Sequence, residues 1–165
     1  MPNSTNALDL LRSQHDDVET LFEGIEKSSN ASTKAGLFEQ LADQLAAHAA
    51  IEEKLFYPAM VAKSTRDILV ESTEEHLSIK RLIADLLELD VEDEHFSAKL
   101  SVLKEQVEHH AREEEEKELF PKCEKLSSKD ELEALGGEML ALFEALMEAH
   151  PRTEVPKETR TAAPL

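Results

Sequence analysis

The chain has 165 residues, enough for a single domain around one core. Leu, Ala, Glu and Lys dominate, while Gly and Pro number only 4 and 6, a balance that points to an all-α protein. A net charge of −18 sets nucleic acid and anionic lipid aside as partners, and no apolar run approaches membrane-spanning length.

The first amphipathic segment carries Leu8, Leu11, Val18, Phe22 and Ile25 on one stripe, with His15 inside it. It stops at Ser28-Ser29-Asn30. The second carries Leu37, Leu41, Leu45 and Leu55, and His48 and Glu52 complete its series. Pro58, after Leu55-Phe56-Tyr57, kinks or ends it. Past Ser64-Thr65-Arg66, the third runs through Leu69, His76, Ile79, Ile83 and Leu86, and gives way to an acidic linker at 90–94. The fourth carries Phe96, Leu100, Leu103, Val107, His110 and Glu114 and reaches Leu119-Phe120-Pro121.

A fifth helix begins at Ser128-Lys129-Asp130-Glu131, which has the form of a capping box, and Gly136-Gly137 weakens it. Its apolar face, Met139 to Met147, reads as packing over the other helices, with a weak homodimer contact as the alternative to a monomer. Residues 150–165 mix Pro, Thr and charge without periodicity and read as a disordered tail. The single Cys123 precludes an intramolecular disulfide and reads as an unreactive structural thiol. The opening MPNSTNALDL lacks the basic and apolar regions of a signal peptide, so a cytoplasmic protein is expected.

The halves of the chain repeat. His15 to His48 spans 33 residues and His76 to His110 spans 34, and Leu55-Phe56-Tyr57-Pro58 is echoed by Leu119-Phe120-Pro121. Each half is a helical hairpin with a lone His on its first helix and His-x-x-x-Glu on its second. Two such hairpins make a bundle of approximate two-fold symmetry.

Residues four apart share a helix face, so His48 and Glu52 reach one point, as do His110 and Glu114. All four His and both Glu occupy stripe positions that call for Leu or Val. Burying two carboxylates without cations costs several kcal/mol each, on the order estimated for buried ions, and a dinuclear metal site removes that cost. Six ligands with two carboxylates free to bridge suit two five- or six-coordinate ions better than a four-coordinate zinc. The Glu-x-x-His order of ferritin-like sites occurs only at Glu92 and His95, in the linker.

His95 and His150 read as surface residues. His109 with Glu113 is a competing register for the fourth helix. The count to the closing Pro adds a further tension. Glu52 lies six residues before Pro58 and Glu114 seven before Pro121, so Glu115 matches better, but four residues before it stands Ala111.

The set His15, His48-Ala49-Ala50-Ile51-Glu52, His76 and His110-Ala111-Arg112-Glu113-Glu114 closely resembles the hemerythrin-like, or HHE cation-binding, family. The resemblance spans His15 to Pro121. It implies an up-down-up-down four-helix bundle over residues 1–149, the additional C-terminal helix included, around two non-haem iron ions. Glu52 and Glu114 would bridge the ions, with His15 and His48 on one and His76 and His110 on the other. Oxygen-carrying members have a further His four residues from the third-helix ligand, where this chain has Ser72 and Lys80. Lys80 either steadies a bound oxygen species or extends to solvent. The implied function is binding or sensing of O₂ or a related small ligand. The alternatives are an enzyme turning over peroxide or NO, and an iron-sensing or storage module.

Overall fold

A computed structural model describes residues 5–165, so the first four residues of the segment inspected for a leader lie outside it. Helix α1 spans Ala7–Lys27, α2 Ala31–Ile51, α3 Arg66–Leu87, α4 Glu94–Glu108 and α5 Lys129–Glu148. Among the described residues there is no strand, and no helix is long and apolar enough to cross a membrane.

Short polar side chains set the starts of four helices. Asn6 accepts from the Asp9 N–H, Asn30 from Thr33 and Asp93 from His95, each satisfying an amide that the first turn leaves unpaired. Ser128 and Glu131 form the expected capping box. α3 has no side-chain cap; instead buried Thr65 closes the preceding turn, its Oγ1 donating to Met60 O at 2.6 Å and accepting from Ala62 N at 2.9 Å.

α2 and α4 do not end where their α-geometry ends. α2 continues as a π-helical turn, Glu52–Phe56, and a further α-turn, Tyr57–Met60. α4 continues as a longer π-helical stretch, His109–Leu119, followed by Phe120–Leu126. A proline inside an α-helix removes one ladder bond, and its ring clashes with the carbonyl four residues back. The wider turns relieve that conflict: Tyr57 N–H bonds Glu52 O and Phe120 N–H bonds Glu115 O, five residues back, just before Pro58 and Pro121. Both prolines are absorbed by i→i+5 bonding and neither stops its helix.

α1 packs on α2 and α3 on α4, while α5 lies across α1 and α2. The apolar stripes build two cores. One gathers Leu11, Phe56, Met60, Leu69, Phe120 and Met139; the other Phe22, Leu41, Ile83, Phe96, Leu103 and Val155. In every helix that carries a stripe His, the ring falls in sequence between residues of these two cores, so the polar layer is sandwiched between them. Gly136 does not weaken α5. A Cβ there would come within 2.1 Å of Thr5 O and 2.7 Å of Ala7 N, so the missing side chain lets α5 meet the start of α1.

The tail expected at 150–165 is instead packed. His150 turns the chain at φ 53°, and Pro151–Glu158 forms a 3-10 segment against α2 and α3. Val155 is fully buried in the second core. Arg152 donates from its backbone N to buried Asp43 Oδ1 at 3.0 Å and from Nη1 to Oδ2 at 2.6 Å. One apolar side chain and one ion pair anchor the segment, and neither leaves a periodic signature.

Candidate metal centre

His15 comes from α1, His48 from the last turn of α2, Glu52 from the residue after it, and His76 from α3; all four are buried. His110 comes from the π-helical stretch and is also buried. The fourth-helix carboxylate is Glu115, fully buried, and not Glu114. Glu114 instead lies 3.1 Å from His109 Nε2, outside the layer. The physical reason is the π-helix: i→i+5 bonding brings residues five apart onto one face, so His110 pairs with Glu115 as His48 pairs with Glu52. The His109/Glu113 register is excluded as well, because His109 is 59% exposed and Glu113 is bound by Lys117 at the surface. His95 and His150 are exposed, as expected.

The ligand atoms of His15, His48, Glu52 and Glu115 all lie within 4.8 Å of one another, and so do those of Glu52, His76, His110 and Glu115. The two carboxylates belong to both sets. His48 Nε2 stands 3.0 Å from Glu52 Oε1, and His76 Nε2 2.9 Å from Glu52 Oε2. His76 Nε2 and His110 Nε2 face each other at 3.0 Å. Many of these atoms lack what buried polar atoms ordinarily have. His15 Nε2, His48 Nε2, Glu52 Oε1 and both oxygens of Glu115 are shielded from solvent and have no hydrogen-bond partner. Short distances without hydrogen-bonding angles, converging on common points, fit donors aimed at cations.

The sequence reading missed Tyr57. It is fully buried, and its hydroxyl donates to Glu52 Oε2 at 3.1 Å while lying 3.2 Å from His76 Nε2 and 3.4 Å from His110 Nε2. The internal repeat held the signal. Tyr57 stands five residues past Glu52, where Phe120 stands five past Glu115. Tyr57 stacks beside His76 and Phe120 beside His15, so the approximate symmetry is broken by one hydroxyl.

Behind each ring a second polar group holds Nδ1. Glu116 holds His15 at 2.8 Å, Gln14 holds His48 at 2.7 Å, Glu53 holds His76 at 2.9 Å and Glu75 holds His110 at 2.8 Å. Such contacts fix the ring orientation and leave Nε2 free to face inward. Lys80 does not extend to solvent: its buried Nζ grips Glu53 at 2.9 and 3.0 Å. Ser72, the other residue at imidazole spacing from His76, is fully buried and supplies no ring nitrogen.

The electrostatics are those of a crowded acidic layer. Burial would raise the Glu52 carboxyl, but His48, His110 and His76 outweigh it and hold it well below the usual carboxylate range. Burial and the neighbouring Glu52 charge push Glu115 up to about 8. Burial opposes a charge on His110, yet Glu115, Glu52 and Glu75 raise it well above the ordinary imidazole value. His15 is lowered by burial and by adjacent His48. Without cations, protons shared among these groups carry the balancing charge. Cys123 is buried, and its thiol is pushed up to about 12 by burial and by Glu115.

A cavity of about 30 Å³ adjoins the layer, walled by the four imidazoles and by apolar side chains such as Leu45 and Ile83. A water needs roughly 10–15 Å³ on this scale, so the space suits a two-atom ligand.

The family model for the hemerythrin HHE cation binding domain matches residues 6–123. Among solved structures, the chain is similar to a hemerythrin HHE cation binding domain-containing protein of Mycobacterium kansasii, with 25% identity, a TM-score of 0.79, and coverage of 94% of this chain and 95% of that one. No curated protein matches the chain.

Proposed function

The chain belongs to the hemerythrin HHE cation-binding domain family, and from that premise we propose that it is a non-haem di-iron protein that binds O₂ or a related small ligand. Its four long helices run up-down-up-down, with the fifth across one face. Glu52 and Glu115 would be shared by the ions, with His15 and His48 holding one and His76 and His110 the other. Tyr57 would place a hydroxyl beside the ion on the His76 side. The observation that carries this reading is the set of inward-facing, solvent-shielded nitrogen and oxygen atoms without partners. The ion pair supplies redox chemistry and open coordination positions when bound.

The chain's own residues then have distinct tasks. The carboxylates and Gln14 behind the rings orient Nε2 inward. Apolar walls exclude bulk water from the small cavity and admit only a compact ligand such as O₂, NO or peroxide. Tyr57 holds a proton next to Glu52. A small cavity walled mostly by apolar side chains and imidazoles favours holding a ligand over releasing it as product. Nucleic acid and membrane have no place among the partners proposed.

Turnover of peroxide or NO is the second reading, favoured by one observation: neither Ser72 nor Lys80 replaces the additional third-helix imidazole, which would leave coordination positions free. Iron assay of the purified chain, with visible spectra of the reduced protein before and after O₂ and peroxide, separates the readings. Two irons per chain and a reversible O₂-dependent band support binding; sustained gas evolution from peroxide supports the enzyme. Loss of fold on chelation with neither response supports an iron-sensing module. Stoichiometric zinc without iron would sink the di-iron reading.

A further inference from the structure

The groups behind the four imidazoles are not alike. Glu116, Glu53 and Glu75 are carboxylates, whereas His48 Nδ1 meets the amide oxygen of Gln14. Gln14 is 3% exposed, and its Nε2 has no partner. A carboxylate behind an imidazole draws the Nδ1 proton toward itself and strengthens the donor at Nε2; a neutral amide does so far less.

The charges around these groups add to the difference. Glu116 is balanced by Arg112 at 2.7 Å and Glu53 by Lys80 at 2.9 Å. Glu75 contacts His110, His109 and the Glu114 carboxyl, with no Lys or Arg in ion-pair range among the described residues. The His15/His48 side is therefore backed by one balanced carboxylate and one amide. The His76/His110 side is backed by two carboxylates, one of them without a Lys or Arg partner. It also faces the Tyr57 hydroxyl, whereas Phe120, stacked 6.3 Å from His15, offers no donor atom.

We propose that Gln14 makes the two metal positions unequal: the His76/His110 position takes the first divalent cation and holds it more tightly, and the His15/His48 position takes the second and exchanges it readily. This rests on the two-ion reading above. It assigns Gln14 as a positioning residue whose neutrality sets the weaker position.

The test is titration of the full, metal-stripped chain with Co²⁺ in the absence of oxygen, followed by calorimetry and visible absorption. Two ions per chain are expected in two resolved steps, at least about tenfold apart in Kd, the lower end of the effect of such backing groups. Gln14→Glu should strengthen the weaker step and narrow the gap by about tenfold with the total still two. His48→Ala should keep the tighter step, and His110→Ala should lose it. Should Gln14→Glu fail to fold, Glu75→Gln is the second probe, since it weakens the tighter step and narrows the gap from the other side. Two ions bound in one unresolved step, or a gap unmoved by both variants, overturns the proposal and leaves the two-ion reading standing. A total of one ion or none overturns the two-ion reading itself, and this inference with it.

Discussion

The two hairpins offer the same ligand pattern through different backbones. In the first, His48 and Glu52 are four residues apart, and the π-helical turn begins only at Glu52. In the second, the π-helical stretch begins at His109, before His110, and the spacing becomes five. The first hairpin places a tyrosine five residues past its carboxylate, and the second a phenylalanine. The lesson is that the repeat preserves the arrangement in space, not the count along the chain. What stays constant is the distance from carboxylate to proline, six residues in both halves, because each proline needs the wide turn before it.

The largest expected effect separates Glu115 from its neighbour. Glu115→Ala removes a carboxylate common to both ligand sets and should cut bound metal from two ions per chain to one or none, read by metal analysis after gel filtration. Glu114→Ala should keep both ions. Equal loss in the two variants would return the second hairpin to α-helical spacing.

The next effect follows from protons. The Glu115 carboxyl, raised to about 8 from its usual 4.5, keeps its proton in the metal-free fold at neutral pH. A folded-state pKa above the unfolded one means that this group's contribution to stability is full below pH 4.5 and is lost as pH rises toward 8. A cation has to displace that proton, so apparent metal affinity should climb by up to about tenfold per pH unit between pH 6 and 8 for one proton released. Glu115→Gln should flatten that slope. A slope unchanged in the variant would contradict the assignment.

Tyr57→Phe makes the halves alike. It strips Glu52 Oε2 of a buried hydrogen-bond donor, which should cost the metal-free protein about 1–3 kcal/mol in chemical denaturation. Phe120→Tyr is not expected to restore that loss, because its ring stacks on His15 and not on His76. The smallest effect is assigned to Pro58→Ala and Pro121→Ala. Each removes a constraint on the unfolded chain and should cost about 1 kcal/mol or less with metal content unchanged. Loss of metal in either would show that the proline, and not the ligand layer, holds the wide turn in place.

Much of the molecule was legible in the residues. The five helices follow from apolar stripes and caps, and the four stripe His stood out because each occupies a position that calls for a large aliphatic side chain. What escaped did so for definable reasons. Glu115 was passed over because a four-residue rule assumes unbroken α-geometry, and i→i+5 bonding breaks it; the proline count held the clue. Tyr57 read as one more apolar residue because a buried hydroxyl leaves no trace in a hydrophobic stripe. The segment after His150 read as a tail because Val155 and Arg152 anchor it singly.

The most direct test is a crystal structure of the iron-loaded protein with anomalous data at the iron edge. Two peaks should lie within the His15, His48, His76 and His110 layer, with Glu52 and Glu115 touching both and Tyr57 beside the His76 ion. A single peak, or a peak ligated by Glu114 with Glu115 turned away, would contradict the account.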